Sequence, residues 1–422
     1  MYVNPSDEDS ASLNVKITVM ADLSLSRTAI RAALVVLSLP FLLAGCAMRA
    51  SQAQPAVAAS SVTDGVAVRP IDPGNARLPL PSVSASDRTF SFIAYGDTRG
   101  PADGVSTQPR HRDVVDAMLR TIQTQRDAGS PVRFIVQTGD AVSNGRFARH
   151  WNVSFSPLIE RLIWEGGVPY FFAVGNHDVG TSTNLEDERR LIGLRNASAA
   201  MSRLWPAEGS AERLTGYATY AFAYGQLFFI VLDSNIAGDA RQLAWVSAQL
   251  GQLDRQRYPH VVAVFHHPLL TSGLHGGATV EPQTAALRRL YMPLFRQHHV
   301  RLVISGHDHL YDHFVERYED AGGTYRMDLI VTGGGGAPIY TYSGEPDLGV
   351  YAKAAAPSKV SVQHLVRPGL TDEDNPHHFV IVTVDGDRLS LRVVSTAAAP
   401  FRPFGTETLS LELESRIPRN PR

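Results

Sequence analysis

The sequence predicts an α/β protein whose parallel strands carry polar side chains at their ends. Short apolar runs alternate with segments of helical periodicity, and most of these runs are followed closely by aspartate, asparagine or histidine. The composition, with 44% hydrophobic and 19% charged residues, is typical of a globular protein. A length of 422 residues allows either two average domains or one large α/β domain.

Strands and helices alternate along the middle of the chain. The predicted strands are 90–95, 132–136, 168–174, two within 217–233, 261–265 and 300–304. The predicted helices are 111–125, 151–164, 240–253 and 287–299. A longer segment, 181–216, is interpreted as an insertion that forms a lid or a substrate wall.

Five of the predicted strands end in residues that can bind a metal ion. These residues are Asp97, Asp140, Asn176, His266, and the pair His307 and His309. Because ligands of open α/β sheets bind outside the carboxyl ends of the strands, we expect these side chains to meet at one edge. Mixed carboxylate, amide and imidazole ligands suit Zn, Mn or Fe, whereas a structural zinc site usually uses cysteine thiolates.

The ordered motifs resemble those of calcineurin-like metallophosphoesterases. The matching stretches are Gly-Asp-Thr-Arg at 96–99, Gly-Asp at 139–140, Gly-Asn-His-Asp at 175–178, His-His-Pro at 266–268 and Gly-His-Asp-His at 306–309. The resemblance runs from about 90 to 340. It implies an α/β fold made of a two-sheet β-sandwich flanked by helices, with a binuclear metal site at the strand ends.

The resemblance also implies a role for each residue. Asp140 would bridge two divalent or trivalent ions (Fe, Mn or Zn), with Asp97 and His309 on the first ion and Asn176, His266 and His307 on the second. A metal-activated hydroxide would attack the phosphorus of a phosphomonoester or phosphodiester. His177, supported by Asp178, would stabilise the developing charge or protonate the leaving oxygen.

The chain departs from the family pattern at two positions. Most members have a histidine ligand where this chain has Arg99, which cannot bind a metal. The first metal site is then weaker, or Arg99 contacts the substrate phosphate, or Arg99 is a surface residue that lies away from the site. Purple acid phosphatases have a tyrosine where this chain has Ser143, which argues against that subclass.

Several further residues are weaker candidates. His267 is interpreted as a strand-end residue, and His275 as a pocket residue. His313 either supports the site or lies on an exposed loop. Asn144 and Arg146 either contact phosphate or build a turn. The glycine run 333–336 lacks the lysine of a P-loop, so it is predicted to pack a backbone turn against the metal-binding loops.

The chain beyond residue 340 carries fewer signals. Residues 343–376 form a loop-rich excursion without recognisable chemistry. Two alternating runs, 379–384 and 388–394, flank Asp385-Gly386 and predict a β-hairpin. We expect this hairpin to extend the second sheet, so that a single metallophosphoesterase domain spans 89–415.

The first 46 residues are typical of a lipoprotein signal peptide. Arginines precede an apolar segment that ends in Leu-Ala-Gly-Cys, which resembles a lipobox with Cys46 as the lipidated residue. Residues 1–19 are acidic, and Met20 is therefore a better start. Ala47 after the cysteine favours the outer membrane, on the periplasmic side of the envelope. The Ala-, Pro- and Ser-rich residues 47–88 predict a disordered tether.

Charge limits the partners. The formal net charge of −2 gives no basic excess to attract nucleic acid. The expected partners are a small phosphorylated substrate and, through the lipid anchor, the membrane. The alternative to an enzyme is a catalytically degenerate lipoprotein that binds phosphorylated envelope components. Retention of His177 and Asp178 favours the enzyme, and hydrolysis of a non-phosphate bond is a remote third hypothesis.

Overall fold

The computed structural model describes residues 65–75, 89–277, 280–348 and 360–396, together with the backbone of 410–413. The predicted signal peptide at 1–46, its Cys46 and the rest of the predicted tether lie outside the described residues. Within the described ranges, no helix is both long enough and apolar enough to cross a membrane.

The described chain combines strands and helices up to about residue 300 and forms mainly strands after it. The strands are β1 (Thr89–Tyr95), β2 (Val132–Gln137), β3 (Tyr170–Phe172), β4 (Tyr220–Tyr224), β5 (Leu227–Val231), β6 (His260–Val264), β7 (Leu302–Ser305), β8 (Tyr311–Asp320), β9 (Gly323–Thr332), β10 (Val360–Val366), β11 (His378–Asp385), β12 (Arg388–Ser395) and β13 (Ser410–Leu413). The α-helices are α1 (Pro109–Asp127), α2 (Ser156–Gly166), α3 (Asn176–Val179), α4 (Glu188–Ala200), α5 (Ala240–Gly251), α6 (Pro282–Ala286) and α7 (Met292–Gln297). A π-helical turn, Leu287–Tyr291, joins α6 to α7.

The strands form two mixed sheets. The first has the order β13-β12-β11-β1-β2-β3, and the second has the order β10-β8-β9-β7-β6-β5-β4. In the first sheet β1, β2 and β3 are parallel, so their carboxyl ends lie at the same edge. In the second sheet β5, β6, β7 and β9 are parallel. The predicted α/β fold with a two-sheet sandwich and flanking helices is confirmed.

Aromatic side chains fix how the two sheets face each other. Phe134 on β2 stacks on Phe92 with ring centroids 5.2 Å apart, and it meets Phe229 on β5 edge-on at 5.3 Å. Phe171 on β3 stacks on Phe222 on β4 at 3.6 Å. All five rings are buried. Burial of one such ring is worth roughly 1.5–3 kcal/mol, so this cluster strongly favours a single arrangement of the strand ends.

The C-terminal half differs from the sequence prediction in two respects. The hairpin β11–β12 pairs with β1 and therefore belongs to the first sheet, not to the second. In addition, the second sheet contains β8, β9 and β10, of which β10 lies inside the predicted loop-rich excursion. The reason is that pairing partners are non-local, since β1 and β11 are almost 300 residues apart in the chain.

Residues 65–75 do not behave as a free tether. The Ile71 side chain is fully buried, and its N–H donates to the Ala200 carbonyl at 2.9 Å. Arg69 forms a bidentate ion pair with Glu160 on α2. The composition rich in proline and small residues did not indicate this docking, because the apolar anchor is a single residue.

The segment 181–216 contributes a packed helix. An added Cβ on Gly193 of α4 would lie 2.5 Å from the Asp178 carbonyl oxygen, and Asn196 donates to the Gly145 carbonyl. Helix α4 therefore packs directly against the loops that follow β2 and β3. This part of the predicted insertion therefore packs against two of the loops that carry the predicted ligands.

Candidate metal centre

Three of the predicted metal ligands have a left-handed backbone. The φ angles are 60° at Asp97, 55° at Asp140 and 73° at His307, and each residue follows a glycine after its strand. This conformation costs a non-glycine residue of the order of 1–3 kcal/mol and persists only where the surrounding structure imposes it. Such strain in three residues brought together from two sheets is typical of a functional site.

Four side chains bring nitrogen and oxygen atoms to one point between the two sheets. His266 Nε2 lies 2.8 Å from Asn176 Oδ1, 3.4 Å from Asp140 Oδ1 and 3.1 Å from His307 Nδ1. Ligands at about 2.0–2.2 Å from an ion lie roughly 3–3.5 Å from one another. These separations fit the predicted second ion.

The hydrogen bonds of the two imidazoles show which nitrogens are free. His266 Nδ1 lies 3.0 Å from the Thr138 carbonyl oxygen, and His307 Nε2 lies 2.8 Å from Glu281 Oε2. Because both oxygens are acceptors, those nitrogens carry the protons, and the lone pairs of His266 Nε2 and His307 Nδ1 face each other. A metal ion between these nitrogens, liganded also by Asp140 and Asn176, would relieve the repulsion of the two lone pairs.

The protonation states agree with metal binding. Burial lowers the pKa of His266 to about 3, so its imidazole is neutral near pH 7. Burial, and then the neighbouring Arg99, lower the pKa of His309 to about 3. A neutral imidazole is the form that binds a metal, so both side chains are ready without losing a proton.

The two carboxylates of the centre lie close together and affect each other. Burial raises the pKa of Asp97, and the neighbouring Asp140 raises it further. Burial acts in the same direction on Asp140, but His266, His177 and Arg99 outweigh it, and the pKa of Asp140 lies below its ordinary value. Two buried carboxylates in one site call for nearby positive charge.

The predicted first ion has a different environment. Its three ligands, Asp97, Asp140 and His309, do lie together, with His309 Nε2 3.6 Å from Asp97 Oδ1. However, Arg99 Nε donates to Asp140 Oδ2 at 3.0 Å, and Arg99 Nη2 contacts His309 Nε2 at 3.2 Å. Arg99 is therefore not a distant surface residue, because it contacts two of the three ligands of this site. As arranged, these residues fit the second ion but do not fit the first.

His177 lies at the rim of the centre. Its side chain is about one third exposed, and Nε2 is 3.9 Å from Asp140 Oδ2. Its Nδ1 lies 2.9 Å from the Ser143 carbonyl oxygen, which orients the ring. The expected support from Asp178 is not a side-chain contact in this structure, because the Asp178 carboxylate has other partners.

Asp178 binds backbone groups instead. Its Oδ2 accepts N–H groups of Asp140 and Gly175, both at 2.8 Å, and its Oδ1 accepts those of Ala141 and Val142 at 3.0 and 3.3 Å. Burial raises the pKa of Asp178, and the backbone donors oppose that shift. Asp178 therefore ties the loop after β2 to the loop after β3, which is a positioning role.

Glu281 was missed by the sequence prediction. It immediately precedes α6, where its carboxylate contacts His307 Nε2 and also lies 3.2 Å from His275 Nδ1. His275 lies close to His307, with ring centroids 3.9 Å apart. His267 is buried and bonded to Ser234. A glutamate before a proline has no motif of its own, so no local signal identified it.

The remaining candidates have structural partners. His313 is buried on β8 and bonded to Asp328 at 2.7 Å, so it is not a loop residue. Asn144 Oδ1 accepts the N–H of Arg146, as in a turn. Ser143 Oγ bonds Asp103. In the glycine run, an added Cβ at 333 would lie 2.2 Å from the Asp308 carbonyl oxygen and one at 335 would lie 2.2 Å from the Gly96 carbonyl oxygen. The predicted tight packing is confirmed.

The fold and this donor set define a class: two-sheet α/β proteins with a metal centre at the strand ends. The sequence model of the family described as calcineurin-like phosphoesterase matches residues 90–311. The chain belongs to the calcineurin-like phosphoesterase family. The metal centre at the strand ends agrees with this family relationship.

Several plant phosphatases are similar to the chain. It is 28% identical to "Probable purple acid phosphatase 20" of Arabidopsis thaliana over 43% of this chain and 40% of that protein. It is 26% identical to "Phosphoenolpyruvate phosphatase" of Allium cepa over 54% of this chain and 42% of that protein. It is 23% identical to "Fe(3+)-Zn(2+) purple acid phosphatase 12" of Arabidopsis thaliana over 55% of this chain and 45% of that protein.

The chain thus spans less than half the length of these relatives. Among solved structures, purple acid phosphatase PPD1 from yellow lupin (Lupinus luteus) is similar, with a TM-score of 0.53 and 18% identity over 80% of this chain and 55% of that chain. This likeness shows the shared fold. The similarity to purple acid phosphatases runs against the expectation drawn from Ser143, although position 143 still lacks their tyrosine.

Proposed function

We propose that this protein is a metal-dependent phosphoesterase that hydrolyses small phosphomonoesters or phosphodiesters. One observation carries the proposal: His266 Nε2 and His307 Nδ1 lie 3.1 Å apart with their lone pairs facing each other. The pair of nitrogens lies beside Asp140 and Asn176. Together with the family relationship, this pair supports a hydrolytic metal centre at the strand ends. The proposed metals are Fe, Mn or Zn, which suit imidazole and carboxylate ligands.

A bound metal ion supplies Lewis acidity that activates a water molecule and polarises the phosphoryl group. The chain itself orients the reactants. His177 is placed at the open rim, with Nδ1 fixed by the Ser143 carbonyl, so that Nε2 points away from that anchor. From there it holds the proton that the leaving oxygen receives, a contribution of roughly 10²–10⁴-fold for a general acid.

The substrate class follows from charge and from the rim. With a formal net charge of −2, the protein has no general electrostatic attraction for a polymeric nucleic acid. A small anionic ester needs only local positive charge, which Arg99 offers next to Asp140. Small phosphate esters are therefore the proposed substrates.

Metal analysis combined with hydrolysis of aryl phosphate mono- and diesters tests the proposal. We expect bound metal and turnover that a chelator abolishes and added metal restores. His177→Ala should keep its metal and lose about 10²–10⁴ in kcat, whereas His307→Ala should lose metal because it removes a ligand. Binding of orthophosphate without any turnover would instead favour the degenerate binding protein.

We also propose that the protein is a lipid-anchored envelope protein of the periplasmic side, held in the outer membrane through Cys46. The Leu-Ala-Gly-Cys sequence at 43–46 supports this proposal. Metabolic labelling with a radioactive fatty acid should modify the wild-type chain and leave Cys46→Ser unlabelled. Label retained by the variant would contradict the proposal.

A further inference from the structure

The Arg99 guanidinium lies among the atoms that the family relationship assigns to the first metal ion. Its Nε donates to Asp140 Oδ2 at 3.0 Å, and its Nη2 lies 3.2 Å from His309 Nε2. Only about one fifth of the Arg99 side chain is exposed. The third ligand, Asp97, lies 3.6 Å from the same His309 nitrogen. A planar cation thus contacts two of the three ligands directly.

His309 is oriented to accept from this guanidinium. Its Nδ1 lies 2.6 Å from the Pro338 carbonyl oxygen, so Nδ1 carries the proton and Nε2 offers its lone pair. The ring also stacks on Tyr340 with centroids 4.3 Å apart, which limits its rotation. The lone pair that would bind the first ion is therefore directed at an N–H of Arg99.

We propose that the Arg99 guanidinium takes the place of the first metal ion, so that this chain binds one ion where its family relatives bind two. The inference rests on the proposed function and specifies its site. Two of the five N–H groups of Arg99 serve Asp140 and His309, and the guanidinium also bonds Tyr340. The remaining N–H groups can donate to a phosphate oxygen, whose geometry a guanidinium matches.

Charge favours this substitution over coexistence of Arg99 with two ions. Asp97 and Asp140 together bring at most two negative charges, and the Arg99 guanidinium with one divalent ion already brings three positive charges. A second divalent ion in contact with Asp140 and His309 would lie directly beside the guanidinium, in a buried and weakly screened position. It would also have to displace Arg99 from two ligand atoms and would not gain a histidine in return.

Metal stoichiometry of the purified full chain tests the inference. After equilibration with excess Mn²⁺ and gel filtration, elemental analysis should find one Mn per wild-type chain. Arg99→His, which restores the usual ligand and removes the charge, should hold two. Arg110→His is the matched control, because Arg110 lies exposed on α1, and it should hold one.

Electron paramagnetic resonance gives a readout that is independent of activity. The wild-type protein should show an uncoupled six-line Mn²⁺ signal, and Arg99→His should show the multiline signal of an exchange-coupled pair. Two Mn per wild-type chain, or a single Mn in a folded Arg99→His with an unchanged circular dichroism spectrum, would overturn the inference. Two Mn together with turnover would leave the proposed function intact, whereas no Mn and no turnover would overturn both.

Discussion

Replacing Asp178 with asparagine separates a positioning role from a proton-relay role. Each carboxylate oxygen of Asp178 accepts two backbone N–H groups, at distances of 2.8–3.3 Å. An asparagine has one oxygen and one NH₂ group, so two of these buried N–H groups would face another donor. Each donor left without a partner costs about 1–3 kcal/mol, so we expect a loss of roughly 2–6 kcal/mol in the free energy of unfolding.

Urea denaturation followed by circular dichroism measures this loss. Asp113→Asn serves as the control, because the Asp113 side chain is half exposed on α1 and should change stability by less than about 0.5 kcal/mol. The reasoning is refuted if Asp178→Asn unfolds at the wild-type urea concentration while kcat falls strongly. That result would assign Asp178 to His177 chemistry, as the family resemblance implied.

Two further predictions concern Glu281 and His378. Glu281→Gln keeps the size of the side chain but removes the charge that orients His307, so metal affinity measured by titration should fall about 10–100-fold, and an unchanged affinity would contradict this role. Burial lowers the pKa of His378 to about 4. When the pH falls below about 6.5, the ordinary pKa of histidine, His378 binds a proton in the unfolded chain but not yet in the folded one. The free energy of unfolding therefore falls between about pH 6.5 and pH 4, by about 3 kcal/mol in total. His378→Asn should flatten the fall of the urea midpoint between pH 7 and 4, and an equal slope in both proteins would refute this assignment.

The sequence determined the strands that end at the candidate site, up to about residue 305, because their signals are local, whereas β8 and β9 were not predicted. An apolar run followed by glycine and a polar residue predicts a strand and its end, and the structure has β1, β2, β3, β6 and β7 at these places. The glycine run at 333–336 was also interpreted correctly, since glycine in such a run permits close backbone approach.

Only the tertiary structure decided how these elements combine. Asp97, Asp140 and Asn176 follow strands of one sheet, whereas His266 and His307 follow strands of the other. The pairing of β11 with β1 depends on residues almost 300 positions apart, which no local pattern encodes.

The partners of the site residues were likewise settled in three dimensions. Glu281 reaches His307 across 26 positions, and Asp178 binds backbone N–H groups rather than His177. Arg99 meets His309 across 210 positions. The physical reason is that residue types and spacing state what a side chain is able to bind, while the packing of the two sheets selects which of those groups it meets.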